Sequence, residues 1–221
     1  MFRIKICGLT NAEDARAAAE AGADAIGLNF YEKSARCVSP DRARQIADTL
    51  PEGVQRIGVF VNATLADIRD RYAELSLDFV QLHGDEAPEF LAELRLPVIR
   101  AFRPFADLTA VSQYLTHCDR LKCRPVMVLL DAFRQGQFGG TGVTANWGAI
   151  RDGRSLLGRL PLVLAGGLRA ENVGQAIAVV EPDAVDTASG VETAPGRPSA
   201  ELVRAFVANA QRAFELRERS R

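Results

Sequence analysis

The sequence has few of the features that mark a membrane protein or a protein with a broad basic surface. No apolar run approaches the ~20 residues that a membrane-spanning helix needs, and the first residues lack the long apolar segment of a secretory signal peptide. The 27 Lys and Arg residues nearly balance the 28 Asp and Glu residues, which argues against a basic nucleic-acid surface. We therefore expect a cytoplasmic protein that binds neither a membrane nor nucleic acid.

Motifs for metals and nucleotides are also missing. The 4 cysteines, at positions 7, 37, 118 and 123, form no CxxC pair, and there are only 2 histidines, so neither a zinc module nor a histidine-rich metal centre is indicated. In a cytosolic protein these cysteines should be free thiols. No GxxxxGK[ST] loop occurs, so a nucleoside triphosphate is not suggested.

Short apolar runs recur along the chain, separated by segments whose apolar residues are spaced three and four apart. Several runs are nearly continuous in Val, Ile and Leu, as in strands that are covered on both faces. Asn11 and Ser39 are predicted N-caps of the first two helices, and glycines weaken the helix near 146–157. The predicted strands cover residues 3–8, 25–30, 56–61, 78–84, 98–102, 126–132, 162–167 and 184–190.

This alternation predicts an α/β protein, a single-domain (β/α)8 TIM barrel. A doubly wound open sheet has the same alternation, but it usually carries GxGxxG after its first strand, where this chain reads CGLTNAED. No linker or low-complexity stretch divides the chain, so residues 1–221 are predicted to form one domain.

Two side chains that can move protons end predicted strands. The active site of such barrels lies at the carboxyl ends of the strands, which puts Cys7 and Asp131 at one mouth. A cysteine is a competent base if its pKa falls toward neutrality, and a partly desolvated aspartic acid is a general acid. Packing for Cys7 and a loop brace for Asp131 remain alternatives. A Cys–His hydrolase would need His83, which is more simply a wall residue with a satisfied hydrogen bond.

Glycine clusters follow the last three predicted strands, at 138–143, 164–168 and 188–192. Glycine lets backbone N–H groups approach an anion, and a following helix N-terminus adds a favourable dipole. Together the clusters predict a phosphate-bearing ligand, although any one of them could simply form a tight turn.

Two further charged residues lie near this mouth. Arg36 follows the second strand, where it could bind a second anion, since a guanidinium matches a carboxylate bidentately; a solvated loop arginine is the alternative. Asp186 lies within the last strand, where packing or a salt bridge would explain it.

Motifs along nearly the whole chain resemble one family. They read KICGLT, GLNFYEKSARCVS, VFVN, QLHGDE, LLD, GGTG, LAGGL and VDTASGVE, in this order. The chain resembles the phosphoribosylanthranilate isomerases of tryptophan biosynthesis from residue 4 to about 207. It differs from the common family pattern where Glu32 and Ala35 replace two prolines.

The resemblance implies an isomerase that carries out an Amadori rearrangement of N-(5-phosphoribosyl)anthranilate without a metal or other cofactor. It implies that Cys7 is the general base, that Asp131 is the general acid and that Arg36 binds the anthranilate carboxylate. The implied phosphate loops contain Gly140, Thr141, Gly142, Gly166, Gly167, Ser189 and Gly190. Another phosphosugar isomerase or epimerase, or a catalytically silent barrel that binds a phosphorylated ligand, is the alternative. The chain is expected to be a monomer or a homodimer.

Overall fold

The computed structural model of the chain describes residues 1–103, 107–131 and 147–220, and every predicted strand is found there. Each strand pairs in parallel with the next, and β1 also pairs with β8, so the sheet closes into a barrel. This confirms the predicted fold and excludes the open doubly wound sheet. The strands are β1 Ile4–Cys7, β2 Ala25–Asn29, β3 Gln55–Phe60, β4 Phe79–Leu82, β5 Val98–Phe102, β6 Met127–Asp131, β7 Leu162–Ala165 and β8 Ala184–Thr187.

Helices follow the strands, and their starts agree with the capping residues in the sequence. The Asn11 side chain accepts a hydrogen bond from the backbone N–H of Asp14, and Ser39 accepts one from that of Arg42. The sixth helix is short and is followed by a 3-10 turn at Arg154–Leu157. The helices are α1 Ala12–Glu20, α2 Pro40–Thr49, α3 Leu65–Glu74, α4 Pro88–Leu94, α5 Thr109–Leu121, α6 Trp147–Asp152, α7 Val173–Val180 and α8 Ala200–Arg219.

The alternation of side chains along each strand decides which of them enter the barrel. On β1, Ile4 and Ile6 belong to the large core between strands and helices, so Lys5 and Cys7 point into the interior. On β8, Val185 belongs to that same core, which turns Asp186 inward. Much of the interior is otherwise filled by a separate apolar cluster formed by Phe2, Ala25, Ile57, Ile99, Ala101, Met127, Leu129, Val163, Ala165 and Ala184.

A small structure between β8 and α8 does not appear among the predicted elements. A 3-10 turn at Ser189–Val191 leads into a hairpin of β9, Glu192–Ala194, and β10, Arg197–Pro198. This hairpin matters because it carries Glu192 to the mouth of the barrel.

None of the helices within the described ranges combines the length and the apolar character needed to cross a membrane. The cysteines at positions 7, 37, 118 and 123 are free thiols, as predicted.

Candidate active site

Barrel closure brings the two predicted proton-transfer groups to the same mouth. Cys7 is the last residue of β1, and Asp131 is the last residue of β6. Both are half-buried, and 23% of the Asp131 side chain is accessible. Both residues thus lie at the mouth of the barrel that their positions at strand ends predicted.

Directly below Cys7 on β1 lies a buried ion pair. The Lys5 side chain is fully buried, and its Nζ lies 2.9 Å from Oδ1 of Asp186. The pair follows from the register of β1 and β8, in which Lys5 is opposite Asp186. Asp186 therefore faces inward, and a salt bridge explains its position.

Burial and the neighbouring charges set the pKa of Cys7. Burial raises the pKa of the Cys7 thiol above its ordinary value, the Lys5 ammonium opposes that rise, and the Asp186 carboxylate adds to it. Arg36 is a second, weaker opposing cation. The pKa of Cys7 is therefore shifted upward, whereas the sequence suggested a fall of that pKa toward neutrality. The shift is upward because desolvation of the thiolate outweighs both cations.

His83, just beyond β4, lies beside the other proton-transfer group. Its Nε2 is 3.5 Å from Oδ2 of Asp131, and its Nδ1 is 3.1 Å from Nε2 of Gln81. The ring therefore stands against Asp131, and this position gives no support to the Cys7–His83 pair that a thiol hydrolase would need.

Arg36, on the loop after β2, is held by a carboxylate from the hairpin. Its Nε donates to Oε1 of Glu192 at 2.7 Å, and its Nη2 donates to Oε2 at 2.5 Å. Only 5% of the Glu192 side chain is accessible, and the backbone N–H of Gly196 also donates to it. The hydrogen bonds to Glu192 raise the pKa of Arg36 above its ordinary value. One edge of the guanidinium is thus fixed inside the protein.

The stem of Arg36 lies close to the end of β1. A Cβ added to Gly8 would stand 2.4 Å from Cδ of Arg36, and Gly8 has a φ of +77°. Position 8 therefore favours glycine for both space and backbone conformation. As a result, the predicted carboxylate-binding group packs against the residue that follows Cys7.

The glycine loops after β7 and β8 contact each other. A Cβ added to Gly190 would stand 1.8 Å from the carbonyl oxygen of Leu168, and Oγ1 of Thr187 donates to that same oxygen at 2.8 Å. Gly167 has a φ of +68° and open space where a Cβ would point. The loops are therefore adjacent, as a shared anion site would require.

The predicted loop residues are thus placed only in part. Gly166, Gly167, Ser189 and Gly190 all lie at the ends of the last two strands. Gly140, Thr141 and Gly142, in the cluster after β6, lie outside the described residues.

Two residues of this site were not singled out from the sequence. Lys5 lies two positions before Cys7, so strand alternation alone would have pointed both side chains to the same face. Glu192 ends the SGVE motif, but its contact with Arg36 depends on a hairpin that spacing did not predict.

Comparisons with known proteins decide the family. A family model described as N-(5'phosphoribosyl)anthranilate (PRA) isomerase matches residues 4–209. The chain belongs to this family. It is therefore an isomerase of tryptophan biosynthesis, as the motifs predicted.

Relatives in this family match over nearly their full lengths. The chain is 44% identical over 212 residues to N-(5'-phosphoribosyl)anthranilate isomerase of Geobacter metallireducens, covering 96% of this chain and 100% of the relative. The crystal structure of phosphoribosyl anthranilate isomerase from Thermotoga maritima matches with a TM-score of 0.83 and 41% identity, covering 96% and 99% of the two chains.

A further solved phosphoribosyl anthranilate isomerase is in complex with reduced 1-(o-carboxyphenylamino)-1-deoxyribulose 5-phosphate. It matches with a TM-score of 0.81 and 39% identity, covering 96% of this chain and 99% of that one. That relative binds a ligand with a carboxylate at one end and a phosphate at the other.

Proposed function

We propose that this barrel carries out the Amadori rearrangement of N-(5'-phosphoribosyl)anthranilate with Asp131 as general acid and Cys7 as general base. The observation that carries the assignment is the placement of these two groups at the carboxyl ends of β1 and β6, at one mouth of the barrel, in a member of this isomerase family. The product is 1-(2-carboxyphenylamino)-1-deoxyribulose 5-phosphate.

The first step opens the sugar ring. Asp131 donates a proton to the furanose ring oxygen as the bond from that oxygen to C1 breaks. The lone pair of the substrate nitrogen forms a double bond to C1 and gives a protonated Schiff base. Asp131 is left as a carboxylate beside His83.

In the second step a proton leaves C2. The Cys7 thiolate takes the C2 proton, and the electron pair of the C–H bond forms the double bond between C1 and C2, which neutralises the iminium nitrogen. The resulting enolamine accepts a proton at C1 and loses the proton of its C2 hydroxyl, which gives the ketone at C2. Because the substrate's own nitrogen accepts the electrons, these steps route no electrons through a metal, flavin or pyridoxal.

The two ends of the substrate are anionic, and we assign a site to each. Arg36 binds the anthranilate carboxylate through the part of its guanidinium that Glu192 does not occupy. Gly166, Gly167, Ser189 and Gly190 bind the phosphate, with backbone N–H groups as donors. The adjacency of the loops after β7 and β8 supports the second assignment, and Gly140, Thr141 and Gly142 are proposed to complete it.

We also propose that residues 1–221 act as one barrel domain in the cytoplasm, as a monomer or a homodimer, without nucleic acid. The net charge of −1 supports the last point. The T. maritima relative is described as dimeric, which supports the homodimer.

Asp131→Asn tests the assignment of the acid. Asparagine keeps the shape and loses the exchangeable acid proton, so kcat should fall by about 10²- to 10⁴-fold while substrate still binds. Turnover is followed by the fluorescence of the anthranilate substrate, and circular dichroism checks the fold. Asp119→Asn, on the exposed side of α5, is the matched control and should keep its kcat.

The pH dependence makes the same test sharper. Catalysis needs Asp131 protonated and Cys7 ionised, so kcat should be bell-shaped in pH, with limbs that belong to the coupled pair. The residual activity of Asp131→Asn should keep a single limb. A folded variant with near-normal turnover and both limbs would show that the proton comes from another group.

A further inference from the structure

We propose that Lys5 is a positioning residue for Cys7: held in place by Asp186, its ammonium group stabilises the thiolate that removes the C2 proton. This inference rests on the proposed function, because it acts through Cys7 as the base. It assigns a role to an ion pair that the reaction steps above do not use.

Geometry places the ammonium next to the thiol. Lys5 and Cys7 lie two positions apart on β1 and both point into the barrel, since Ile4 and Ile6 point to the outer core. The register of β1 and β8 then sets the ion-pair partner of Lys5. Lys5 is opposite Asp186 on β8, and its Nζ is 2.9 Å from the Asp186 carboxylate.

The neighbouring strand leaves room for both side chains. Gly27 on β2 is opposite Cys7. A Cβ added there would stand 2.6 Å from Sγ of Cys7 and 3.0 Å from Nζ of Lys5. The sulfur and the ammonium nitrogen therefore converge on the one interior position where this strand has no side chain.

The energetics of burial indicate a function other than stability. The Lys5 side chain has no accessible surface, and a buried charge is costly to desolvate even when it is paired. Apolar residues of similar volume often replace a buried ion pair with no loss of stability. Much of the rest of this interior is filled by apolar side chains such as Ile57 and Leu129. An ammonium group at this position is therefore better explained by the thiol beside it.

The ionisable groups around the thiol come from several elements. Asp186 from β8 and Arg36 from the loop after β2 act on Cys7 together with Lys5. His83, just beyond β4, and Asp131, at the end of β6, act in turn on Asp186. Among the cations, Lys5 most strongly opposes the rise in the pKa of Cys7. Burial would lower the pKa of Lys5 itself, but Asp186 and Cys7 raise it above its ordinary value, so the ammonium keeps its charge.

The proton balance needs no added reagent. The thiol of Cys7 loses its proton to water at the mouth of the barrel, where the residue is half-buried. Lys5 stays protonated throughout. When the thiolate takes the C2 proton of the substrate, the site returns to a neutral thiol above a Lys5–Asp186 pair.

The test measures ionisation of Cys7 without turnover. A thiolate reacts with iodoacetamide and a thiol does not, so the alkylation rate of the Cys7 peptide against pH, followed by mass spectrometry, gives the midpoint of its ionisation. Lys5→Met is the test variant and Lys122→Met, on an exposed lysine, is the matched control. Cys37, in the same molecule, is the internal control.

We expect Lys5→Met to move the Cys7 midpoint upward by about one pH unit or more, which lowers the thiolate fraction near neutral pH about tenfold. The double variant Lys5→Met/Asp186→Asn also removes the carboxylate that the single change leaves buried and unpaired. Its Cys7 midpoint should likewise lie above that of the unchanged protein, since Lys5 acts on Cys7 more strongly than Asp186 does. Lys5→Arg keeps the charge and should keep the midpoint near that of the unchanged protein. The Cys37 midpoint should stay constant throughout.

A purely structural role would lower the unfolding temperature but leave the Cys7 midpoint unchanged. An unchanged midpoint in a folded Lys5→Met variant therefore overturns the proposal, while failure of Cys7→Ser to lose turnover would instead overturn the base assignment.

Should the Lys5 variants not fold, the unchanged protein is used with ¹⁵N-labelled lysine. The Lys5 resonance should then move as Cys7 ionises and stop moving once Cys7 is alkylated. A Lys5 resonance that is insensitive to Cys7 refutes the proposal.

Discussion

Cys7 and Cys37 are both half-buried cysteines near the mouth, yet their surroundings differ. Cys7 points into the barrel beside Lys5 and below Arg36, whereas Cys37 lies on the loop after β2, where its backbone pairs with Asn29. Substituting each of these two cysteines in turn therefore tests whether the position of Cys7 gives it a role in catalysis that Cys37 lacks.

We predict that Cys7→Ser lowers kcat by about 10²- to 10⁴-fold and changes KM only a few-fold. Serine is nearly isosteric with cysteine, but its hydroxyl is a far poorer base than a thiolate. Steady-state kinetics measure the effect, and Cys37→Ser should be nearly silent. Near-normal kcat in Cys7→Ser would leave Cys7 with a packing role only.

Arg36 and Glu192 form the other residue-scale feature that decides chemistry. We predict that Arg36→Met raises KM roughly 10- to 150-fold, since losing one charge-assisted hydrogen bond costs about 1.5–3 kcal/mol, and that kcat falls much less. The contact is distant from the breaking bonds, so ground and transition states should lose it alike.

Glu192→Gln provides the comparison for that prediction. It keeps Arg36 and its charge while weakening the bidentate hold, so its KM should lie between those of the unchanged protein and Arg36→Met. An unchanged KM in a folded Arg36→Met variant would assign the carboxylate to another residue.

At the scale of elements, the contact between the loops after β7 and β8 depends on Gly190. We predict that Gly190→Ala lowers the unfolding temperature and raises KM, because its Cβ would meet the backbone oxygen of Leu168 at 1.8 Å and force the loops apart. Thermal unfolding and steady-state kinetics measure the two effects.

Gly174→Ala, in α7, is the control for that change. A Cβ there meets nothing within 4 Å, and alanine favours the helix by up to about 1 kcal/mol. The unfolding temperature of Gly174→Ala should therefore rise by a few degrees. Unchanged KM and unfolding temperature in Gly190→Ala would show that the loops after β7 and β8 accommodate the added Cβ, and would contradict the prediction.

At the scale of the whole molecule, we predict that exhaustive dialysis against EDTA leaves turnover unchanged. The sequence has no metal-binding motif, and within the described ranges no group of three or more His, Cys, Asp or Glu side chains could hold an ion. Activity is assayed before and after dialysis. Loss of turnover that one divalent metal restores would contradict the cofactor-free mechanism.

Much of the molecule was determined by local features of the sequence. Alternating apolar runs and helical spacing predicted the strands of the barrel, and Asn11 and Ser39 predicted helix starts, because both depend on residues only a few positions apart. Strand ends also predicted that Cys7 and Asp131 share one mouth, since parallel strands in a closed barrel end on the same side.

The electrostatics of the site were decided only by the tertiary structure. Lys5 and Asp186 are 181 positions apart, and Arg36 and Glu192 are 156 apart, so only closure of the barrel and the hairpin after β8 bring them together. The direction of the Cys7 pKa shift followed in the same way. Local sequence identifies a thiol at a strand end, but its pKa is set by how deeply the folded chain buries it and by which distant charges surround it.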